Sequence, residues 1–175
     1  MSPRARRVLL RFLIFGWMGL LLEVFFTAVL AGYRGNWNLH GQTSPWMILD
    51  YGLLGLVLMP VARPLIRRGV PLALRAAVYA AGIFAVELVS GWVFDLCGLT
   101  IWDYSHLPWN LGGYITAVYT PLWYALGLVV EPLYRKVDAV AVVLAHGFTA
   151  EQIEGRSTPQ TAHGSKTGTH LRADR

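Results

Sequence analysis

Four apolar runs, residues 8–30, 46–61, 72–96 and 113–134, leave this chain few ways to fold. A helix needs about 20 residues to cross the hydrocarbon core of a bilayer. The first, third and fourth runs have that length. The second is shorter, but Pro45 before it and Pro60 near its end fit a helix that just spans. None of the four carries the wide polar face that a helix needs on the surface of a soluble domain. Only 14% of the residues are charged, against about a quarter in soluble domains. The expected fold is all-α and integral to the membrane. Within lipid each backbone N–H and C=O must be satisfied inside its own segment.

Charge placement orients the spans. Arg4, Arg6, Arg7 and Arg11 open the first. Arg63, Arg67, Arg68 and Arg75 surround the second connection, and Arg135 and Lys136 follow the fourth span. The first connection holds only Arg34, and the third has no Lys or Arg. Basic residues mark the cytoplasmic side, so both termini are expected in the cytoplasm, with the first and third connections outside. The net charge of +5 is therefore topological, not a nucleic-acid patch. The basic start and the TAVLAG run at 27–32 resemble a signal peptide. The length of the run and Glu23 inside it argue for a retained span.

Residues 1–136 read as the membrane domain. Residues 137–154 read as an amphipathic segment or an extension of the fourth helix, with capping-box spacing at Thr149 and Gln152. Residues 155–175 are Gly, Ser, Thr and charge, the composition of a disordered tail, with His163 and His170 solvated. The lone Cys97 reads as a small buried hydrophobe.

The halves repeat. Glu23 corresponds to Glu87; Trp37-Asn38 follows the first by fourteen positions, and Trp102-Asp103 follows the second by fifteen. His40 then falls near His106, and Tyr51 near Tyr119. Each half is an outward helix, a Trp-rich connection and an inward helix. The four helices are thus expected as two parallel two-helix repeats about an axis along the membrane normal.

Glu23 and Glu87 are the sharpest site candidates, because an ionisable group inside a span is costly and by default functional. Glu87, Ser90, Gly91 and Asp95 share one helix face, and Gly16, Gly19, Glu23 and Thr27 form a similar stripe. Such stripes argue for close packing of the first and third helices, with the two glutamates facing each other. Asp50 and Tyr51 would wall the same cavity. Trp102, Asp103, Tyr104 and Asn110, from the connection LTIWDYSHLPWN, would fold over it as a lid. Tyr119 and Trp123 would line it, and Pro121 would kink the last helix. The structural alternative is that each Glu only fixes helix register, hydrogen-bonded to Trp17, Trp92 or a tyrosine. Glu131 reads as the i, i+4 partner of Arg135. His40, His106 and Asp103 lack the tight spacing of a metal site. Ser44 and Ser105 lack the hydrolase elbow. No metal and no cofactor are expected.

GWMGLLLEVFFT (16–27), GQTSPWMILDYG (41–52), ELVSG (87–91), WDYS (102–105) and the later Tyr119, Trp123 and Glu131 occur in an order that resembles the transmembrane protein 229 family, grouped with bacterial proteins called putative ABC-transporter type IV. The resemblance spans about residues 11–135. It implies a small multi-pass membrane protein, and the name implies transport. The chain has no phosphate-binding loop of the Gly-x4-Gly-Lys-Ser/Thr kind, so it is not the ATPase of such a system. Three functions stay open. One is a transport-associated component with an outer acidic and aromatic cavity for a cation, proton or small amphiphile. Another is a membrane enzyme acting on lipid or isoprenoid, with Glu23, Glu87 and Asp103 in acid–base roles. The third is a non-catalytic partner subunit. Expected partners are membrane lipids and a second copy or another membrane subunit; the composition and short loops fit a bacterial inner membrane.

Overall fold

The computed structural model describes residues 1–155. It is mostly helical: α1 (Pro3–Tyr33), α2 (Met47–Arg67), α3 (Leu72–Leu96), α4 (Thr120–His146) and the short α5 (Ala150–Ile153). The expected tail at 155–175 lies outside the described residues apart from Gly155. Three helices, α1, α2 and α3, are long and apolar enough to cross a membrane. α4 is 27 residues long but carries Glu131, Arg135, Lys136 and Asp138 from its middle onward. Its apolar part, Thr120 to Tyr134, gives about 22 Å of helix at about 1.5 Å per residue, short of the roughly 30 Å hydrocarbon core.

Local chemistry explains the ends. α1 starts at Ser2, whose hydroxyl accepts from the Ala5 amide, with Pro3 in the first turn. α4 stops at Gly147, left-handed at φ 71°. α5 carries the full capping box: Thr149 accepts from the Gln152 amide, and the Gln152 side chain accepts from the Thr149 amide.

Several elements differ from the sequence reading. α2 runs through Pro60 and Pro64 to Arg67 instead of ending near residue 61. Proline inside a helix frees the carbonyl one turn before it, and membrane helices tolerate this. Residues 113–119 are not α-helical. They hold β2 (Ile115–Thr116), which pairs antiparallel with β1 (Asn110–Leu111), and a 3-10 turn at Ala117–Tyr119. Gly112 and Gly113, at φ 61° and 78°, take the left-handed backbone that turns this hairpin. Pro121 therefore opens α4 and does not kink it. Cys97 is exposed, because α3 ends there and Gly98 turns the chain away.

α1 packs along α2, and α3 along α4; α1 also meets α4. α1 and α3 are not a principal pair, contrary to the small-residue argument. The stripe on α1 serves α2: a side chain at Gly19 would collide with the Tyr51 ring, and one at Gly16 would come within 2.5 Å of Ile48. The short first connection keeps α2 beside α1, so the glycines meet that helix first. The apolar core, with Phe15, Leu58, Ala62, Tyr79, Val130, Tyr134 and Val137, lies toward the basic end of the bundle.

Close backbone contact makes a direct prediction at Gly55. A Cβ there would lie 2.8 Å from the Arg11 carbonyl oxygen, a backbone atom that cannot swing away. Gly55→Val should separate α1 from α2 and cost about 1–3 kcal/mol, the range for overpacking. A thermal melt of the variant in detergent checks it.

The basic end is clamped by charge. Asp138 takes two hydrogen bonds from the Arg7 guanidinium and one from Arg11 at 3.1 Å. The Arg7 bonds, with those of Arg11 behind them, hold the Asp138 carboxyl below the usual range. A depressed native value stabilises the fold above the unfolded value and loses that contribution as pH falls through the native one. Asp138→Asn should therefore melt lower than wild type at neutral pH. The gap should close as pH drops below about 4, where the unfolded carboxyl takes its proton. Melts across the acid range measure it.

Candidate acidic site

At the other end of the bundle, carboxylates from three helices lie within electrostatic reach of one another. Glu23 of α1 sits one helical turn below Thr27. Its carboxylate accepts from the Thr43 hydroxyl at 2.5 Å and the Tyr51 hydroxyl at 2.9 Å. The first connection is held in place to supply Thr43. Gly41 lies flat against the Val24 carbonyl, where a side chain would not fit, and the Thr27 hydroxyl exchanges hydrogen bonds with the Gln42 backbone at 2.8 and 3.0 Å. Asp50, in the first turn of α2, bonds the Ser90 hydroxyl of α3 at 2.7 Å.

Glu87 is different. It is 8% exposed, and its Oε2 is buried without a hydrogen-bond partner. Trp123 of α4 offers its indole N–H to the Glu87 carboxyl. The Trp123 indole N–H is nonetheless also buried and short of hydrogen-bond geometry with any acceptor. Asp50 and Glu23 both act on Glu87 through their charges. Burying an unpaired carboxyl costs several kcal/mol unless it is neutral or meets a partner.

The third connection closes this end. Tyr104 and Tyr119 meet edge to face, ring centroids 5.3 Å apart. Tyr119 continues to Trp123 at 6.4 Å and to Phe26 at 5.9 Å. Tyr104 and Tyr119 both lie within electrostatic reach of Glu87. Arg34, within reach of Tyr119, is the nearby cation. The aromatic rings thus form a cover over a carboxyl group, and ring faces attract cations.

Of the residues singled out in sequence, Glu23, Asp50, Tyr51, Glu87, Tyr104, Tyr119 and Trp123 come together. Asp95, Trp102, Asp103 and Asn110 do not; they hold the connection. The Tyr114 hydroxyl donates to Asp95 at 2.9 Å, and Trp102 Nε1 donates to the Tyr114 carbonyl at 2.8 Å. Asp103 accepts from the Ser105 amide and hydroxyl, which hold its carboxyl below the usual range. Asn110 donates to the Leu107 carbonyl at 2.7 Å and accepts from Gly113. The predicted stripe on α3 accordingly splits: Glu87 faces inward, Ser90 faces α2, and Asp95 faces the connection.

Glu131 does not pair with Arg135. It accepts from Arg75 of α3 at 2.6 and 2.9 Å and from the Tyr79 hydroxyl at 2.5 Å. Arg75 reaches across from the start of the neighbouring helix, whereas Arg135 is exposed. Sequence reading missed Thr43 and Arg75 as partners. No periodic signal links a residue on one helix to a loop or helix packed beside it. Among the described residues, no group of three or more His, Cys, Asp or Glu side chains is arranged to hold a metal ion.

Three apolar spanning-length helices and an interior acidic cluster define a helical membrane protein. The family described as Putative ABC-transporter type IV matches residues 10–149, and the chain belongs to that family. No solved structure matches it. The family and the apolar helices fit a membrane transport-associated protein.

Proposed function

We propose that the chain is a transport-associated membrane component whose outer half binds a cation, a proton or a small amphiphile at Glu87. The observation that carries this reading is the buried, unpartnered Glu87 carboxyl, ringed by Asp50, Glu23 and the Tyr104–Tyr119–Trp123 cover. A carboxyl that only fixed helix register would take well-formed hydrogen bonds, as Glu23 and Glu131 do, whereas Glu87 has only the Trp123 indole beside it, outside good hydrogen-bond geometry.

In this reading α4 and the 3-10 turn before it make the fourth crossing. Both termini face the cytoplasm of a bacterial inner membrane. The two halves are parallel repeats, and the resemblance to the transmembrane protein 229 family extends across them. Two features support the repeat: α1 pairs with α2 as α3 pairs with α4, and Glu23 lies by Tyr51 as Glu87 lies near Tyr119. Four short helices are few for a complete transporter, so a second copy or a partner subunit completes it.

Flux tests the reading. Proteoliposomes carrying the wild-type chain should move protons or methylammonium faster than empty vesicles, and Glu87→Gln should return the rate to that of empty vesicles. Equal rates for wild type and a folded Glu87→Gln variant would remove Glu87 from the function.

A further inference from the structure

The basic end of the bundle holds more charge than its clamp uses. Asp138 of α4 accepts from Arg7 Nε at 2.8 Å, from a second nitrogen of the same guanidinium, and from Arg11 Nη1 at 3.1 Å. Two guanidinium groups of α1 thus share one carboxylate. A third, Arg63 of α2, reaches the same place. Arg7, Arg11 and Arg63 all act on Tyr134 through their charges, and the Arg11 guanidinium lies over the Tyr134 ring, 5.3 Å from its centroid. Among the described residues Arg63 makes no ion pair. Three cations therefore face one anion.

Their donors are under-used as well. A guanidinium carries five N–H groups. Arg11 commits one of them to Asp138, and its Nε is buried with no acceptor. Arg7 commits two, and 40% of its side chain stays exposed, open to a further acceptor. Arg63 is exposed. The cluster lacks a group with several acceptor oxygens and a negative charge, and a phosphate is such a group. The fold says which phosphate. The arginines stand where the apolar stretches of α1 and α2 give way to charge, and Val8, Leu9 and Val61 beside them in sequence are exposed. A bilayer sets its headgroups at that level, next to hydrocarbon. A free phosphate ion would leave the apolar flank unused.

We propose that Arg7 and Arg63, with the charge of Arg11 behind them, bind the phosphate of an anionic phospholipid. Its acyl chains run along the exposed apolar residues of α1 and α2. Guanidinium groups hold phosphate through paired N–H donors and lose little hydration in doing so. Asp138 fixes Arg7 and Arg11 in place and is too little charge to neutralise the cluster. A zwitterionic headgroup would bring its own cation to a site that already has a surplus. The inference is independent of the acidic site at the other end of the bundle.

The purified full-length chain in mild detergent, incubated with phosphatidylglycerol, phosphatidylcholine or inorganic phosphate and read by native mass spectrometry, tests it. Wild type should retain phosphatidylglycerol about tenfold more than either control, the scale of one charged hydrogen bond. Arg63→Gln should cut that retention about tenfold. Arg68→Gln should leave it unchanged, because Arg68 is exposed at the same end of α2 but is not among the charges that act on Tyr134. The comparison of three probes on wild type decides the matter even if a variant fails to fold. Equal retention of phosphatidylcholine would overturn the proposal by reducing the contact to ordinary bilayer solvation. Equal retention of inorganic phosphate would overturn the lipid and leave a free-phosphate site. Equal losses in Arg63→Gln and Arg68→Gln would overturn it too, showing a diffuse basic surface with no site at Arg63.

Discussion

Glu131→Ala should lower the thermal midpoint of the protein in detergent by roughly 5–10 °C, the largest stability effect expected of a single side chain here. Its carboxylate side chain is 6% exposed and anchors three donors: two from Arg75 and one from Tyr79. Removing it leaves Arg75 charged beside α4 with no acid to answer it, and leaves Tyr79, in the core, without its acceptor. Breaking one side of a buried pair is worse than never having it. The double variant Arg75→Met/Glu131→Met should therefore recover most of the loss. Melting curves of the single and double variants form a cycle that isolates the pair. A single variant that melts with wild type would mean that water or detergent replaces Glu131 and that the pair does not tie α3 to α4.

Glu87→Gln should have the opposite profile: function abolished, fold kept. Oε2 of Glu87 has no hydrogen-bond partner, so the amide forfeits no bond there. It also removes an acid from the neighbourhood of Asp50 and Glu23, and with it any repulsion among them. The thermal midpoint should hold or rise. Ligand retention and flux, by contrast, should fall to the level of protein-free controls. Glu23→Gln separates the roles. Its carboxylate already serves Thr43 and Tyr51, so the change should lower stability modestly and flux only in part. Parallel melts and flux assays on both variants read the difference. Loss of stability in Glu87→Gln that matches its loss of flux would reduce Glu87 to a packing residue.

The membrane character of the chain was legible because it rests on composition and run length, which bilayer thickness makes nearly decisive. α1 and α3 follow the first and third apolar runs closely for that reason. The second and fourth runs were less legible. Prolines read as stops in water are tolerated inside a packed membrane helix, so α2 continues past Pro60 and Pro64. Gly112 and Gly113 belong to a hairpin that pattern alone does not separate from an apolar helix, so α4 begins at Thr120. The carboxylates of the site stood out because an acid in an apolar run is rare. Their partners did not. Thr43 with Glu23, Ser90 with Asp50 and Arg75 with Glu131 are pairings between elements, and three-dimensional packing alone chooses them. The small-residue stripe on α1 was real, but a stripe does not name the helix it faces. α2, tethered by a short connection, took the place assigned to α3.

Whether Glu87 is a ligand-binding group decides between a binding site and a packing device at the acidic end of the bundle. Native mass spectrometry of the protein purified in mild detergent, wild type beside Glu87→Gln, addresses this with no ligand added. It reports small-molecule adducts and oligomeric state together. The expected result is a bound small cation or amine on wild type, absent from a Glu87→Gln variant of the same oligomeric state and melting temperature. Wild type free of adducts, with a Glu87→Gln variant that dissociates or unfolds, would contradict it and make the outer acids determinants of assembly.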